Sequence, residues 1–238
     1  MQALAGRRIV ITGGAAGIGR AAAALFTAHG AAVTLVDRDA DRVKATAQAL
    51  GCFGHGADVT DEEGLSAAIS SGAEAMGGID GLVTAAGIMW RGTVGEVDGA
   101  DWAKVIGVNL TGTYLATRAC LPRMEQAETA TIVTLGSAQG LHPDTPKRTA
   151  YAASKGGVVN LSRALAAELA PKIRVNCCCP GLVDTEMADG VRANTSNYAL
   201  RRMARPEEIA EVLLFLTSSA SSFVTGATLA ADGGRAFH

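Results

Sequence analysis

No apolar run in the chain approaches the ~20 residues of a membrane-crossing helix. Nothing ahead of a glycine cluster that begins near position 12 has the charged-then-apolar pattern of an export signal. A cytoplasmic protein with no membrane partner is therefore expected. An excess of one charge is lacking too: 21 Lys and Arg stand against 23 Asp and Glu, which leaves no basic surface for nucleic acid. Linkers and low-complexity tails are absent. The 238 residues, 48% of them hydrophobic, are expected to form one domain, 1–238, around a large core. A disulfide framework is missing, because five cysteines is an odd count. Cys177, Cys178 and Cys179 are contiguous with no histidine nearby, and neighbours on a strand face opposite ways. They read as small core residues in a reducing compartment, and no metal is expected.

What is present is alternation. Strand-like runs cover Ile9–Thr12, Ala32–Val36, Cys52–Asp58, Gly81–Ala85, Ala130–Leu135, Ile173–Cys178 and Ala227–Ala230. Helical stretches between them include Asp39–Leu50, Asp61–Met76, Asp101–Met124, Thr149–Ala170 and Pro206–Thr217. This order predicts an α/β fold, a doubly wound parallel sheet of seven strands with helices on both faces. Ligands then bind past the carboxyl ends of the strands. The glycine cluster, Asp37, Ala85–Gly87, Ser137 and Pro180–Gly181 all follow strand ends and are expected to converge there.

The cluster T-G-G-A-A-G-I-G at 12–19 follows a buried strand and opens a helix that ends near Gly30, the setting a dinucleotide loop requires. Gly13 permits a tight turn, Gly17 a close approach to a pyrophosphate, and Gly19 close packing of helix on strand. Free N–H groups at the helix start favour the phosphates. Asp37 ends the second strand, where a carboxylate accepts hydrogen bonds from ribose hydroxyls and repels the extra phosphate of NADP. Ala15 and Ala16 bring no basic group to attract it, although Arg38 follows directly. NAD is expected, with NADP second.

Tyr151 and Lys155 stand four residues apart in Y-A-A-S-K, on one face of a helix. A free tyrosine ionises near ~10, too high for easy base catalysis. An ammonium nearby, with the positive nicotinamide, is expected to favour the phenolate. Tyr151 then serves as general acid or base, and Ser137 in T-L-G-S holds the substrate oxygen. Y-x-x-x-K alone is a weak signal; beside a nucleotide loop and Ser137 it is a strong one.

With these pieces the chain resembles the short-chain dehydrogenase/reductase family over essentially its full length. Further matches are D-V at 58–59, A-A-G at 85–87, V-N-L at 108–110, P-G-L-V-D-T at 180–185 and D-G-G at 232–234. The resemblance implies that Ser137, Tyr151 and Lys155 are catalytic, and that Asn109 holds a water linking Lys155 to solvent. It implies that Lys155 also holds the nicotinamide ribose. Gly13, Gly17, Ile18, Gly19, Asp37, Asp58, Val59, Gly87, Tyr151, Val183 and Thr185 complete the implied cofactor set. It also implies a homotetramer, with a dimer as the alternative, built on the helices of Asp101–Met124 and Thr149–Ala170, with Phe237 against another subunit. Two departures stand out. Thr84 replaces the family's usual Asn, and fourteen residues instead of thirteen separate Ser137 from Tyr151, the extra one in L-H-P-D-T-P-K-R.

Met89, Trp90, Gln139, His142 and Met187 are the candidate substrate contacts for a small hydroxylated molecule. Arg192, Arg201, Arg202 and Arg205 read as a solvated face that can also attract an anion. Three functions stay open: an NAD-dependent dehydrogenase of secondary alcohols or polyols, a reductase of 3-oxoacyl thioesters, and a non-catalytic dinucleotide-binding module. Asp37 favours the first.

Overall fold

The computed structural model describes residues 2–188 and 195–236; Arg192 and Phe237 lie outside them. Seven strands are present: β1 Arg8–Thr12, β2 Ala32–Asp37, β3 Phe53–Gly56, β4 Gly81–Thr84, β5 Ala130–Leu135, β6 Ile173–Pro180 and β7 Thr228–Ala231. They form a single sheet in the order β3-β2-β1-β4-β5-β6-β7, and every pairing is parallel. The order reverses between β1 and β4, so the crevice for a ligand opens past Thr12 and Thr84.

Alternation along each strand sends side chains into two layers. Ile9, Ile11, Leu35, Val83, Val133 and Cys178 pack with helices α1 (Gly17–Ala28), α2 (Ala40–Leu50) and α8 (Pro206–Thr217). Val10, Val36, Leu82, Ile132 and Val175 pack on the other face with α3 (Glu62–Met76), α5 (Gly112–Met124) and α7 (Thr149–Leu169). Cys177 and Cys179 share that second face and meet Val158 and Val159 of α7. The three adjacent cysteines are thus buried on opposite sides of the sheet, as strand geometry demands.

The sequence places one helix over Asp101–Met124; the structure breaks it. Helix α4 (Gly99–Ile106) leads into a π turn over Gly107–Thr111 before α5 resumes. Asn109 lies inside that wide turn, fully buried. Its own carbonyl accepts a 2.8 Å bond from the Thr113 hydroxyl, and its side chain bonds outward to other segments. Single π turns inside α-helices are frequent at functional sites. A one-turn helix, α6 (Ala138–Leu141), also follows β5 where only a loop is expected. Strand β3 is shorter than the Cys52–Asp58 run, since it is an edge strand with exposed Phe53. At Thr84 the hydroxyl is buried with no hydrogen-bond partner. The family's usual Asn is replaced there by a group that adds no side-chain bond to the sheet.

The amino ends of the strands are held by charge. Asp80, 5% exposed, accepts from Arg7 Nε at 2.5 Å and from Arg8 Nε at 3.0 Å. Arg7 reaches on to the Thr131 hydroxyl on β5 and the Thr217 carbonyl at the end of α8. One carboxylate therefore ties β1, β4, β5 and α8 together at the end opposite the crevice. Asp80→Ala leaves both guanidinium groups without their anion and is expected to lower stability by roughly 2–4 kcal/mol. Urea unfolding measures this, and cofactor affinity of the folded variant should not change. A loss below about 1 kcal/mol would show that the staple is ornamental.

Candidate active site

The glycine loop between β1 and α1 has the close contacts its residues predict. Gly13 has φ +69°, and a Cβ there would lie 2.6 Å from the Ala86 nitrogen on the next loop. Gly17 has φ +53°, and its α-hydrogen side faces Thr185. At Gly19 a Cβ would lie 2.1 Å from the Gly13 carbonyl oxygen, so the helix packs against the turn itself just beyond the strand. Larger side chains would push these three segments apart and close the groove. Its walls include Gly13, Gly17, Ile18, Gly19, Asp37, Asp58, Val59, Gly87 and Thr185 of the expected cofactor set, together with Arg38 and Arg42.

The Asp37 carboxylate is anchored at the loop end of the groove. It accepts from the Ala15 nitrogen at 3.1 Å and from the Asp39 nitrogen at 3.2 Å. Asp58 is similarly fixed by the Thr60 nitrogen and hydroxyl, which hold its carboxyl below the usual range. Two cations lie nearby. Arg42 is ion-paired with Glu186, while Arg38 is exposed. Backbone N–H groups at a helix start, a narrow glycine cradle and a fixed acid beyond it fit a dinucleotide.

A second cavity adjoins this groove and shares Ile18, Gly87, Thr185 and Met187 with it. Ser137, Tyr151, Lys155 and Val183 line it. Ser137 caps α6, and its hydroxyl accepts from the Gln139 nitrogen at 3.1 Å. Lys155 is 5% exposed, and its ammonium donates to the Leu135 carbonyl at 2.7 Å. Asn109 binds the chain on both sides of this corner: Oδ1 accepts from the Ile88 nitrogen at 2.8 Å, and Nδ2 donates to Ile88 O and to Ser154 Oγ. Gly87 has Asn109 and Lys155 as its neighbours. The structure thus brings all four expected catalytic residues to one corner.

Burial dominates the electrostatics that the protein's own groups create at this corner. Burial holds the Tyr151 phenol above its ordinary range. Hydrogen bonding by Ser137 and the charge of Arg148 oppose that rise. The Lys155 ammonium is 5.9 Å from the ring centre and engaged by Leu135, so in the protein alone it is not what acts on the phenol. Lys155 is itself lowered to about 8, because desolvation outweighs the buried sulfur atoms of Cys177 and Cys179. Those two sulfurs lie 3.7 Å apart beneath Gly136, where a Cβ would strike both.

Of the substrate candidates, Met89, Gln139 and Met187 line the cavity. Trp90 and His142 do not. Trp90, in the loop after β4, is 40% exposed and is not part of the cavity wall. His142 would share a helical face with Gln139, but the backbone leaves the helix at His142 (φ −137°, ψ 92°) and carries it to solvent. Arg201, Arg202 and Arg205 also lie off the cavity, with Arg202 paired to Glu208 at 2.7 Å. Three wall residues are absent from the sequence reading: Arg148, Tyr198 and Arg235. Arg148, three residues before Tyr151, was within reach of helical spacing; Tyr198 and Arg235 have no local signal.

A family model described as enoyl-(acyl carrier protein) reductase matches residues 13–236. A 2-(S)-hydroxypropyl-CoM dehydrogenase of Xanthobacter autotrophicus is 41% identical, with 95% of each chain covered. A trans-4-hydroxycyclohexanecarboxylate dehydrogenase of Sinomonas cyclohexanicum is 39% identical over 94% of this chain and 91% of its own. The crystal structure of a short-chain dehydrogenase/reductase from Brucella melitensis, described as a glucose/ribitol dehydrogenase, superposes with a TM-score of 0.94 at 36% identity over 99% of both chains. Likeness of this extent leaves no part of the fold unaccounted for: the chain belongs to the short-chain dehydrogenase/reductase family of oxidoreductases.

Proposed function

We propose that the protein is an NAD-dependent dehydrogenase of secondary alcohols, with Tyr151 as its general acid/base. The observation that carries this reading is the shared wall between the Asp37-ended groove and the cavity of Ser137, Tyr151 and Lys155. The glycine loop, Asp37 and Lys155 would hold a dinucleotide in that groove, and it would supply the hydride acceptor. Ser137 holds the alcohol oxygen. Tyr151 removes its proton as the hydride leaves the carbon, and Lys155, through a water held by Asn109, passes that proton toward solvent. Both similar dehydrogenases carry names of hydroxylated substrates, in line with this chemistry. The acyl-carrier-protein wording of the family model favours, as a second reading, reduction of 3-oxoacyl thioesters. Asp37 speaks against it where such reductases use NADP. A homotetramer in the cytoplasm, with a dimer as the alternative, completes the proposal; exposed Trp102 on α4 and Tyr114 on α5 supply apolar surface for the pairing.

Three outcomes follow. Calorimetric titration should show NAD bound at least tenfold more tightly than NADP, with the gap narrowing in Asp37→Ser. Equal affinities in the parent protein would shift the assignment to Arg38 and NADP. Tyr151→Phe should fold and bind NAD, yet lose roughly two to four orders of magnitude in turnover. The rise of the oxidation rate with pH should vanish with it. A folded Tyr151→Phe protein with near-parent turnover would remove Tyr151 from the mechanism. The third outcome concerns Lys155. Its folded value of about 8 lies below the ordinary 10.5, so between these pH values the unfolded chain holds more protons and stability rises with pH. Lys155→Met should therefore stabilise the protein at pH 7, by roughly 1–3 kcal/mol after loss of the Leu135 bond. That gain should shrink toward pH 10. A gain independent of pH would show that the ammonium is not strained by burial.

A further inference from the structure

The catalytic cavity carries a charge that hydride transfer leaves unused. The charged residues on its wall are Arg148, Lys155 and Arg235, and no carboxylate lines it among the described residues. Lys155 is engaged by the Leu135 carbonyl. Arg235 is ion-paired with Asp144 and donates to the Thr145 hydroxyl at 2.8 Å, so its charge is already answered. Arg148 is different. Half-buried at the start of α7, it makes no cap hydrogen bond, and the charges it feels are Arg91 and the phenols of Tyr151 and Tyr198. Burial pushes its guanidinium below the ordinary arginine range, and the neighbouring cation adds to that. Arginine does not give up its proton in proteins. The consequence is a cation kept in a partly dry place, with no anion paired to it among the described residues.

Its position is fixed. Arg148 bridges to Gly92, whose nitrogen donates to the Lys147 carbonyl at 3.1 Å. The Arg148 carbonyl accepts from the Ala152 nitrogen at 2.8 Å as the first bond of α7. Arg148 is the residue just before α7, with backbone outside the helical range (φ −133°, ψ 26°), and it lines the same cavity wall as Tyr151. The loop carrying Arg148 is the longer one between Ser137 and Tyr151, and Asp144 and Thr145 hold its flank against Arg235 and Gln139.

Resting on the hydride-transfer reading above, we propose that Arg148 receives an anionic group of the substrate, which makes that substrate a hydroxylated organic acid, a carboxylate or sulfonate, in place of a neutral polyol. Ser137 and Tyr151 hold the reacting oxygen at one point, and Arg148 holds the acid at another. Two anchors orient the carbon between them. The planar fork of a guanidinium takes two acid oxygens in parallel, which an ammonium cannot do. A neutral analogue would cover the guanidinium without pairing it and is rejected for that reason.

The test uses the full chain with saturating NAD, so that the glycine loop cannot serve as the anion site. Cyclohexanecarboxylate, cyclohexanesulfonate and cyclohexanecarboxamide are titrated by calorimetry against the parent protein, Arg148→Gln and Arg148→Lys. The parent should bind one or both acids at least tenfold more tightly than the amide, and the arm that binds identifies the acid. Arg148→Gln should reduce this preference to less than threefold, and Arg148→Lys should restore part of it. No acid preference in the parent, or a preference that survives Arg148→Gln, would overturn the proposal. The parent comparison decides even if a variant does not fold. In parallel, oxidation of 3-hydroxybutyrate and of its methyl ester is followed at 340 nm. Arg148→Gln should raise KM for the acid at least tenfold more than it raises KM for the ester. Acid-selective binding without oxidation of any alcohol would count against hydride transfer; oxidation without acid selectivity would count against Arg148.

Discussion

The amide of Asn109 joins three pieces of chain that meet nowhere else in sequence: the loop after β4 through Ile88, the π turn in which it lies, and α7 through Ser154. Ser154 in turn donates to the Tyr151 carbonyl, so the bond network reaches the backbone of the residue whose phenol faces the cavity. A buried amide with both ends satisfied is a rigid joint, because any movement strands a donor or an acceptor away from water. The helix gives up regular geometry at Gly107–Thr111 to place it. Groove and cavity keep a common wall for that reason.

The site runs on a tension between dryness and charge. Burial opposes ionisation of Tyr151 and protonation of Lys155 alike. Among the described residues no carboxylate lines the cavity to relieve either group. In such surroundings each added charge, whether from the bound dinucleotide or from a substrate acid, acts with little screening. The reactive proton then responds to what is bound, which a solvent-exposed tyrosine would not do.

Much of this was legible before any coordinates. The glycine loop, Asp37 and the Tyr151–Lys155 pair are local patterns, and strand alternation alone placed their carrier segments at one edge. The sheet, its parallel pairing and the two helix layers followed from the same periodicities. What failed depended on direction or on distance along the chain. Trp90 and His142 occupy the right loops, but the backbone turns His142 outward at the end of α6 and Trp90 lies 40% exposed off the wall. Arg235 and Tyr198 reach the cavity from the C-terminal third, and no spacing rule connects them to Ser137. The π turn was hidden because it continues an apolar helical run, and the bonds of Asn109 to Ile88 and Ser154 that accompany it are tertiary.

The contact of Arg235 with Asp144 and Thr145 has a consequence for how this protein is handled and how it diverges. It couples a residue just past β7 to the loop that shapes the substrate wall, 91 positions earlier. Residues grafted or trimmed just beyond β7 therefore act on selectivity as directly as changes in that loop. Swapping the loop from a relative without its matching tail would combine two halves of different locks.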